Sequence, residues 1–497
     1  MSLLSRPLSP YFDCSSILPT ARKCNLPTEM WFDIFRMLPV HALCSVHSVS
    51  FLFHDISHPL LFHDFNLDPD QHNLSPEEFI ERLDMYSAEP IASHVRKLSV
   101  SFQFGRWFRA RSGGFITALS SPTPLIAPLL QTILNFHNLR ILECTFRFNS
   151  AVHFADLGLQ DLPNLQDLRI HGGAPYCPYL IPAKKIGVTH FSFTGIPSVG
   201  LEPRQNMRSF LSILYPETLS SLTLSPSYDC SPALWLAYDR DLFSTFRQLR
   251  TVTIGCDGPF LRPVHDFLVQ LPALQDLIMS GEYRRCTEFE PTDDGPSLPL
   301  GLQSYTGPCE YIPLFLSGTA CTRLTINACY TPEDLARALE TTSYTSAVTD
   351  LSLLLPFGPF CGWESPRSLF IHFPRLATLR LIISDSPLDD DPDMCDFTET
   401  FDPEALMLLP EILTAVLRAP TELTRAVIEW DLSCDIISML PALEDLHETV
   451  VRSLPQARKI VFERGARTEG TDESTDTSES GSDESMEGVE KSEVPFF

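Results

Sequence analysis

The chain has 497 residues, a formal net charge of −27 and 44% hydrophobic residues. That length suits two to four ordinary domains or one long repeat array, and the apolar fraction is enough for a buried core. So acidic a surface repels phosphates over most of its area, which argues against nucleic acid as the main partner.

The fourteen cysteines include no C-x-x-C pair, so zinc-ribbon and thioredoxin readings have no support. Cys144 and Cys329 sit in or beside apolar strand-like runs, as buried thiols in a reducing compartment would. The start, "MSLLSRPLSPYFDCSS", has no apolar stretch of secretory length. No segment approaches the roughly 20 apolar residues that span a membrane. The expectation is a soluble protein, cytoplasmic and/or nuclear and not secreted, with no membrane partner.

In chain order, residues 1–24 are rich in proline and serine without periodicity and read as a disordered N-terminal arm. Leu26, Met30, Ile34 and Leu38 then fall at four-residue spacing, which lines one face of a helix. Pro39 interrupts it. A second helical pattern places Leu43, Val46, Val49, Phe53 and Ile56 on a common face, and Leu60, Leu61 and Phe62 close the block. Residues 25–67 form this helical module. Residues 68–92 are a helical linker, with a helix expected at "SPEEFIERL", where Ser75 can cap, Pro76 suits the first turn and Glu78 completes a capping box.

From residue 93 to 464 the rhythm is L-x-x-L-x-L, as in "LPNLQDLRI", "LSSLTL" and "LATLRL". Its second anchor falls at Leu98, Leu142, Leu168, Phe191, Leu222, Val252, Leu277, Leu324, Leu351 and Leu379, with weaker copies at Tyr305, Ala426 and Ile460. Most steps are roughly 23–31 residues, overlapping the leucine-rich-repeat period. The match is irregular, and the usual asparagine after the strand is mostly missing. One strand and one return cannot bury their own apolar face, whereas stacked neighbours can. The predicted fold class is therefore α/β. Parallel strands line the concave face of an irregular solenoid, and helices such as "TPEDLARALE" and "LPALEDLHETVVRSL" lie on the convex face. An acidic insertion at 384–404 reads as a solvated loop. Residues 465–497, rich in Ser, Thr, Glu, Asp and Gly, read as a disordered acidic tail. Ser480 and Ser482, beside Asp483 and Glu484, suit acid-directed kinases.

The stretch from Leu26 to Phe53 resembles the F-box, a three-helix module. The likeness rests on Leu26-Pro27, Glu29, Ile34, Leu38, Leu43, Val46, Val49 and Phe53 in order and spacing, and on "ISHPLLFHDF" after them. It covers about a tenth of the chain. Phe53 stands where the family usually carries Trp or another aromatic. The resemblance implies docking onto the adaptor subunit of a cullin–RING ubiquitin ligase, and through it a cullin. Family members often carry a leucine-rich-repeat half that binds the protein substrate. The implied adaptor-binding residues are Leu26, Pro27, Ile34, Leu38, Leu43, Val46 and Val49, divided between internal core and interface in a way that sequence does not resolve. A plain helical cap on a repeat array is the competing reading.

Strand alternation turns one set of residues toward the concave face. Lys97, Glu143, Asp167, Arg169, Thr223, Thr253, Asp350 and Arg380 are candidate substrate contacts. The cluster "FGRWFRARSGG" adds Arg106, Trp107 and Arg109, whose guanidinium forks suit an acidic or phosphorylated segment. No P-loop, H-E-x-x-H or G-x-S-x-G occurs. His54, His58 and His63 lack a third ligand at zinc-like spacing, and the aspartates from Asp385 to Asp396 lack the glycine and closing glutamate of a calcium loop. The expectation is a non-catalytic protein without cofactor or metal. Its rivals are an interaction scaffold with a helical cap, or an enzyme with a site near His265 or Cys309.

Overall fold

The computed structural model describes residues 26–68, 76–102, 132–146, 151–153, 158–172, 174–176, 185–195, 211–226, 245–255, 261–280, 298, 301–316, 318–328, 332–340, 345–356, 369–384, 410, 414, 422–431, 443–464 and 492–493. Three helices come first: α1 (Thr28–Arg36), α2 (Val40–His47) and α3 (Phe51–Leu61). The strand β1 (Asp64–Leu67) and the helices α4 (Pro76–Tyr86) and α5 (Glu89–Ala92) lead into the repeats.

The repeat strands are β2 (Lys97–Phe102), β3 (Ile141–Phe146), β5 (Asp167–His171), β7 (His190–Gly195), β8 (Ser221–Pro226), β9 (Thr251–Gly255) and β10 (Asp276–Ser280). They continue with β11 (Ser304–Pro308), β12 (Arg323–Ala328), β13 (Asp350–Pro356), β14 (Thr378–Ser384), β15 (Arg425–Asp431) and β16 (Lys459–Arg464). Together with β1 they form one parallel sheet whose spatial order follows the chain. β4 (Ala151–His153) and β6 (Ala174–Tyr176) form a second, two-stranded parallel sheet. This is a leucine-rich-repeat-like solenoid.

Its register is set by the anchors of the sequence motif. Leu98 pairs with Leu142, Leu142 with Leu168, Leu168 with Phe191, Phe191 with Leu222 and Leu222 with Val252. The row continues through Leu277, Tyr305, Leu324, Leu351, Leu379, Ala426 and Ile460. No side chain in it is more than 3% exposed. A slip of one residue in any strand would turn its apolar set to water, so each strand fixes the next. The backbone repeats with the same regularity. The carbonyl of Arg96 accepts from the amides of Arg140 (2.8 Å) and Ile141 (3.0 Å), that of Arg140 from Gln166 and Asp167, and so on to Thr424, which accepts from Arg458 and Lys459.

Returns on the convex side contribute the other half of the core. Apolar residues recur at helical spacing in α6 (Leu261–Leu268), through Leu261, Val264, Phe267 and Leu268, and in α8 (Pro332–Glu340), through Leu335, Ala338 and Leu339. Between them lies the single turn α7 (Ile312–Phe315), and α9 (Leu443–Ser453) adds Leu446 and Val450.

Three features differ from the sequence reading. The sheet opens at Asp64 rather than after residue 93, because "DFNL" pairs with Lys97–Val100; four residues without the L-x-x-L-x-L signature carry no repeat signal. The single pattern expected from Leu43 to Ile56 is broken into α2 and α3, since Ser50 caps a new helix by accepting from the amide of Phe53 at 3.2 Å. Within the acidic tail, β17 (Ser492–Glu493) pairs antiparallel with Val461 and Phe462 of β16, which otherwise presents an open edge. The arm at 1–24, the cluster holding Arg106, Trp107 and Arg109, Cys329, the insertion from 385 to 404 and the rest of the tail lie outside the described residues.

The degenerate repeat at Tyr305 shows how one oversized anchor is accommodated. Tyr305 is fully buried, and its hydroxyl donates to the carbonyl of Pro308 at 3.0 Å. The ring occupies the space over Gly307, where a Cβ would lie 2.6 Å from the tyrosine oxygen and 2.9 Å from Met279 Cβ. The pairing with β12 shifts register between Gly307 and Pro308, where proline has no amide for the ladder. Gly307→Ala is expected to cost about 1–3 kcal/mol by overpacking. Adding Tyr305→Leu should recover part of that cost, a coupling that urea unfolding of the single and double variants measures.

Candidate functional site

The helical module has its own small core. Phe35, Leu43 and Ile56 are buried, ringed by Trp31, Ile34, Leu38, Val46, Phe53, Leu60 and Leu61. Three aromatic rings hold α1 to α3: Trp31 and Phe53 lie 4.8 Å apart, and Phe35 and Phe53 meet edge-on at 5.0 Å. The prolines at 27 and 39 stand just before α1 and α2, where a missing amide costs nothing. α1 and α2 pack on α3, and none of the module's core residues belongs to the solenoid core.

The implied adaptor residues divide accordingly. Leu43 is interior, while Ile34, Leu38 and Val46 are half-buried against it. Leu26 is half-buried, and Pro27 and Val49 are exposed, Val49 in the turn between α2 and α3. Sequence reasoning missed Phe35, the most buried hydrophobic residue of the module, because it followed the stripe of Leu26, Met30, Ile34 and Leu38. The set Trp31, Ile34, Phe35 and Leu38, at i, i+3, i+4 and i+7, fits the helix template better.

Reasoning from spacing also missed most of the apolar surface. Of the ten large hydrophobic residues exposed among the described residues, seven lie in this module: Met30, Phe32, Met37, Val40, Val49, Phe51 and Leu52. Phe51 is 92% exposed and Met37 78%. They gather chiefly at the two ends of α2, Met37 and Val40 at one and Val49, Phe51 and Leu52 at the other. Exposed apolar residues scattered singly need no explanation, whereas here seven fall between residues 30 and 52.

On the open, concave face of the sheet the other candidates fall into two adjacent rows. Glu143, Arg169, Thr223, Thr253 and Arg380 share one. Lys97, Asp167 and Asp350 share the next. Most of the charges here are mutually satisfied. Glu143 meets Lys97 at 3.9 Å and His171 at 3.4 Å and accepts from Ser99 at 3.2 Å. Arg169 is bound to Asp167 at 2.7 Å, a hydrogen bond that raises the guanidinium pKa further. Arg323 holds Asp276 at 3.0 Å, and Arg380 Nε holds Glu429 at 3.1 Å. Between these clusters, β7 to β9 offer Ser192, Thr223 and Thr253 and no carboxylate, Lys or Arg on that face.

Of the histidines at 54, 58 and 63, His63 bonds Asp64 at 2.6 Å, while His54 and His58 join other imidazoles. Among the described residues no group of three or more His, Cys, Asp or Glu side chains is arranged to hold a metal ion. His265 is buried in α6, and Cys309 lies in the solenoid core. Burial pushes the Cys144 thiol up to about 12 and the Cys321 thiol up to about 11. No described helix is long and apolar enough to cross a membrane.

No family model and no curated protein matches the sequence. Among solved structures, the chain is similar to one in the complex of Rad7 and Elc1 from yeast, at 15% identity and a TM-score of 0.34, covering 77% of this chain and 90% of that one. It is similar at 11% identity and a TM-score of 0.27 to one in a complex of TLR13 with single-stranded RNA, covering 75% of this chain and 52% of that one. A leucine-rich-repeat protein of Leptospira interrogans matches at 12% identity and a TM-score of 0.22, covering 76% and 97%. By its own strand pairing, the chain is of the class of leucine-rich-repeat-like solenoids, here headed by a three-helix module.

The division between core and surface in that module is testable by stability alone. Leu43→Ala should cost about 2–5 kcal/mol and strip amide protection from residues 28–61 in hydrogen exchange. Phe51→Ser should change stability by no more than about 0.5 kcal/mol.

Proposed function

We propose that the chain is a non-catalytic substrate-recognition subunit of an SCF-type cullin–RING ubiquitin ligase, working in the cytoplasm and/or nucleus. Helices α1 to α3 dock on the ligase adaptor, and the concave face of the solenoid holds a protein substrate. The chain performs no chemistry itself. It raises the local concentration of a target lysine beside a conjugating enzyme carried elsewhere in the assembly.

The observation that carries this reading is the apolar surface at the ends of α2, supported by the F-box-like order of Leu26-Pro27, Glu29, Ile34 and Leu38. A helical cap serving only the repeats would spend its apolar face on the first strands. Here α1 and α2 spend theirs on α3 and leave Met37, Val40, Val49 and Phe51 in water. A docked adaptor would bury on the order of 1,200–2,000 Å² or more in total.

Val49→Asp with Phe51→Asp should leave the fold intact and weaken binding of purified adaptor by roughly 30-fold or more, corresponding to about 2 kcal/mol at a central anchor. Thr223→Arg with Thr253→Arg should retain adaptor binding and lose the substrates found by proximity labelling. Titration of the adaptor against the folded full-length chain decides the matter. Absence of binding to the unmodified chain, or equal binding to the aspartate variant, would leave the solenoid as an interaction scaffold with no ligase link.

A further inference from the structure

Four imidazoles meet where the helical module joins the solenoid. His47 ends α2, His54 and His58 lie one turn apart on α3, and His94 follows α5. The ring centroids are 4.1 Å apart for His47 and His54, 5.4 Å for His54 and His58, 5.9 Å for His47 and His58, and 5.3 Å for His58 and His94. Phe62 continues the row, 4.8 Å from His58 and 6.5 Å from Tyr86 of α4. The buried Ser57 hydroxyl donates to the Phe53 carbonyl at 2.6 Å, so His47 Nδ1, 3.0 Å away, is the donor to Ser57 Oγ. The row crosses a boundary: three of its histidines belong to the module, and His94 stands three residues before β2.

We propose that this row of imidazoles is a proton-operated joint, which seats the module on the head of the solenoid while its rings are neutral and releases it when they become charged. Neutral rings pack against one another without repulsion, whereas neighbouring imidazolium ions about 5 Å apart repel one another. Among the described residues no group of three or more His, Cys, Asp or Glu side chains is placed to hold a metal ion, so the cluster is not a metal site.

The surrounding charges favour the neutral form. Burial, then His94, His54 and His47, hold His58 below the ordinary imidazole value, and Asp55 alone pulls it upward. Burial and then His54 lower His47. Asp55 also bonds His54 at 3.3 Å. Asp64 is engaged with His63, and the Arg96 guanidinium with the carbonyls of Ser93 and Asn138. With folded-state values below the unfolded one, the joint's stability is fully present above the ordinary histidine value of about 6.5. It is lost as the pH falls through that value toward the lowered ones.

The test is hydrogen exchange of the full-length chain at about pH 7.5 and about pH 5.5, which bracket the ordinary imidazole value, with intrinsic rates corrected. Residues 51–67 and 88–96 should lose protection by about tenfold at the lower pH, while β5 to β14 stay unchanged. In the His58→Phe, His94→Phe variant, which keeps two rings without protons to gain, the pH response should be lost. A wild type with no such response, or a variant that responds equally, overturns the proposal. Should the variant misfold, proton NMR titration of the wild type decides: midpoints for His47 and His58 below about 6.5 support the joint, and midpoints at or above it contradict it. The outcome is independent of whether the module binds a ligase adaptor.

Discussion

Each strand of this solenoid has one apolar row that nothing but its neighbours can cover. That constraint organises the molecule. Anchors from Leu98 to Ile460 stand at one level across thirteen strands because each is sealed by those on either side. The paired amides that follow each shared carbonyl, from Arg96 to Thr424, keep the strands in step. A stack built this way is nearly one-dimensional, and its stability is a sum of repeat and interface terms. It therefore tolerates irregular repeats, such as the Tyr305 copy, provided that the row remains filled.

The same economy separates the module from the solenoid. Trp31, Phe35, Leu43, Phe53 and Ile56 close a core of their own, so the module does not need the first strands to hide its apolar face. What remains apolar and exposed is left over from that closure. Meanwhile most charges of the concave face are paired with one another, and its central strands present chiefly hydroxyl groups. The two surfaces thus differ in kind, one apolar and borne by the first three helices, the other polar and carrying charges of both signs.

The anchor row was legible in the sequence because the motif is local and its period is two. Even Tyr305, Ala426 and Ile460, the weak copies, take their places. Less was legible in the module. Val49 continues the helical phase of Val46 and Phe53, so periodicity alone bridges the break that the Ser50 cap introduces. Phe35 was hidden by a competing leucine stripe with a similar spacing. Strand β1 was too short to carry a pattern. The meeting of His47, His58 and His94 depends on how α2, α3 and the segment after α5 pack, which no spacing within one element encodes.

The central claim is that the isolated chain leaves the apolar side chains of its first three helices in water and that a second polypeptide covers them. Hydroxyl-radical footprinting of the full-length protein, alone and with the ligase adaptor added, tests it directly. The account predicts heavy oxidation of Met30, Met37 and Phe51 in the free chain and selective protection of Met37 and Phe51 when adaptor is present. Protection of these residues in the free chain, or unaltered oxidation in the presence of saturating adaptor, would contradict it.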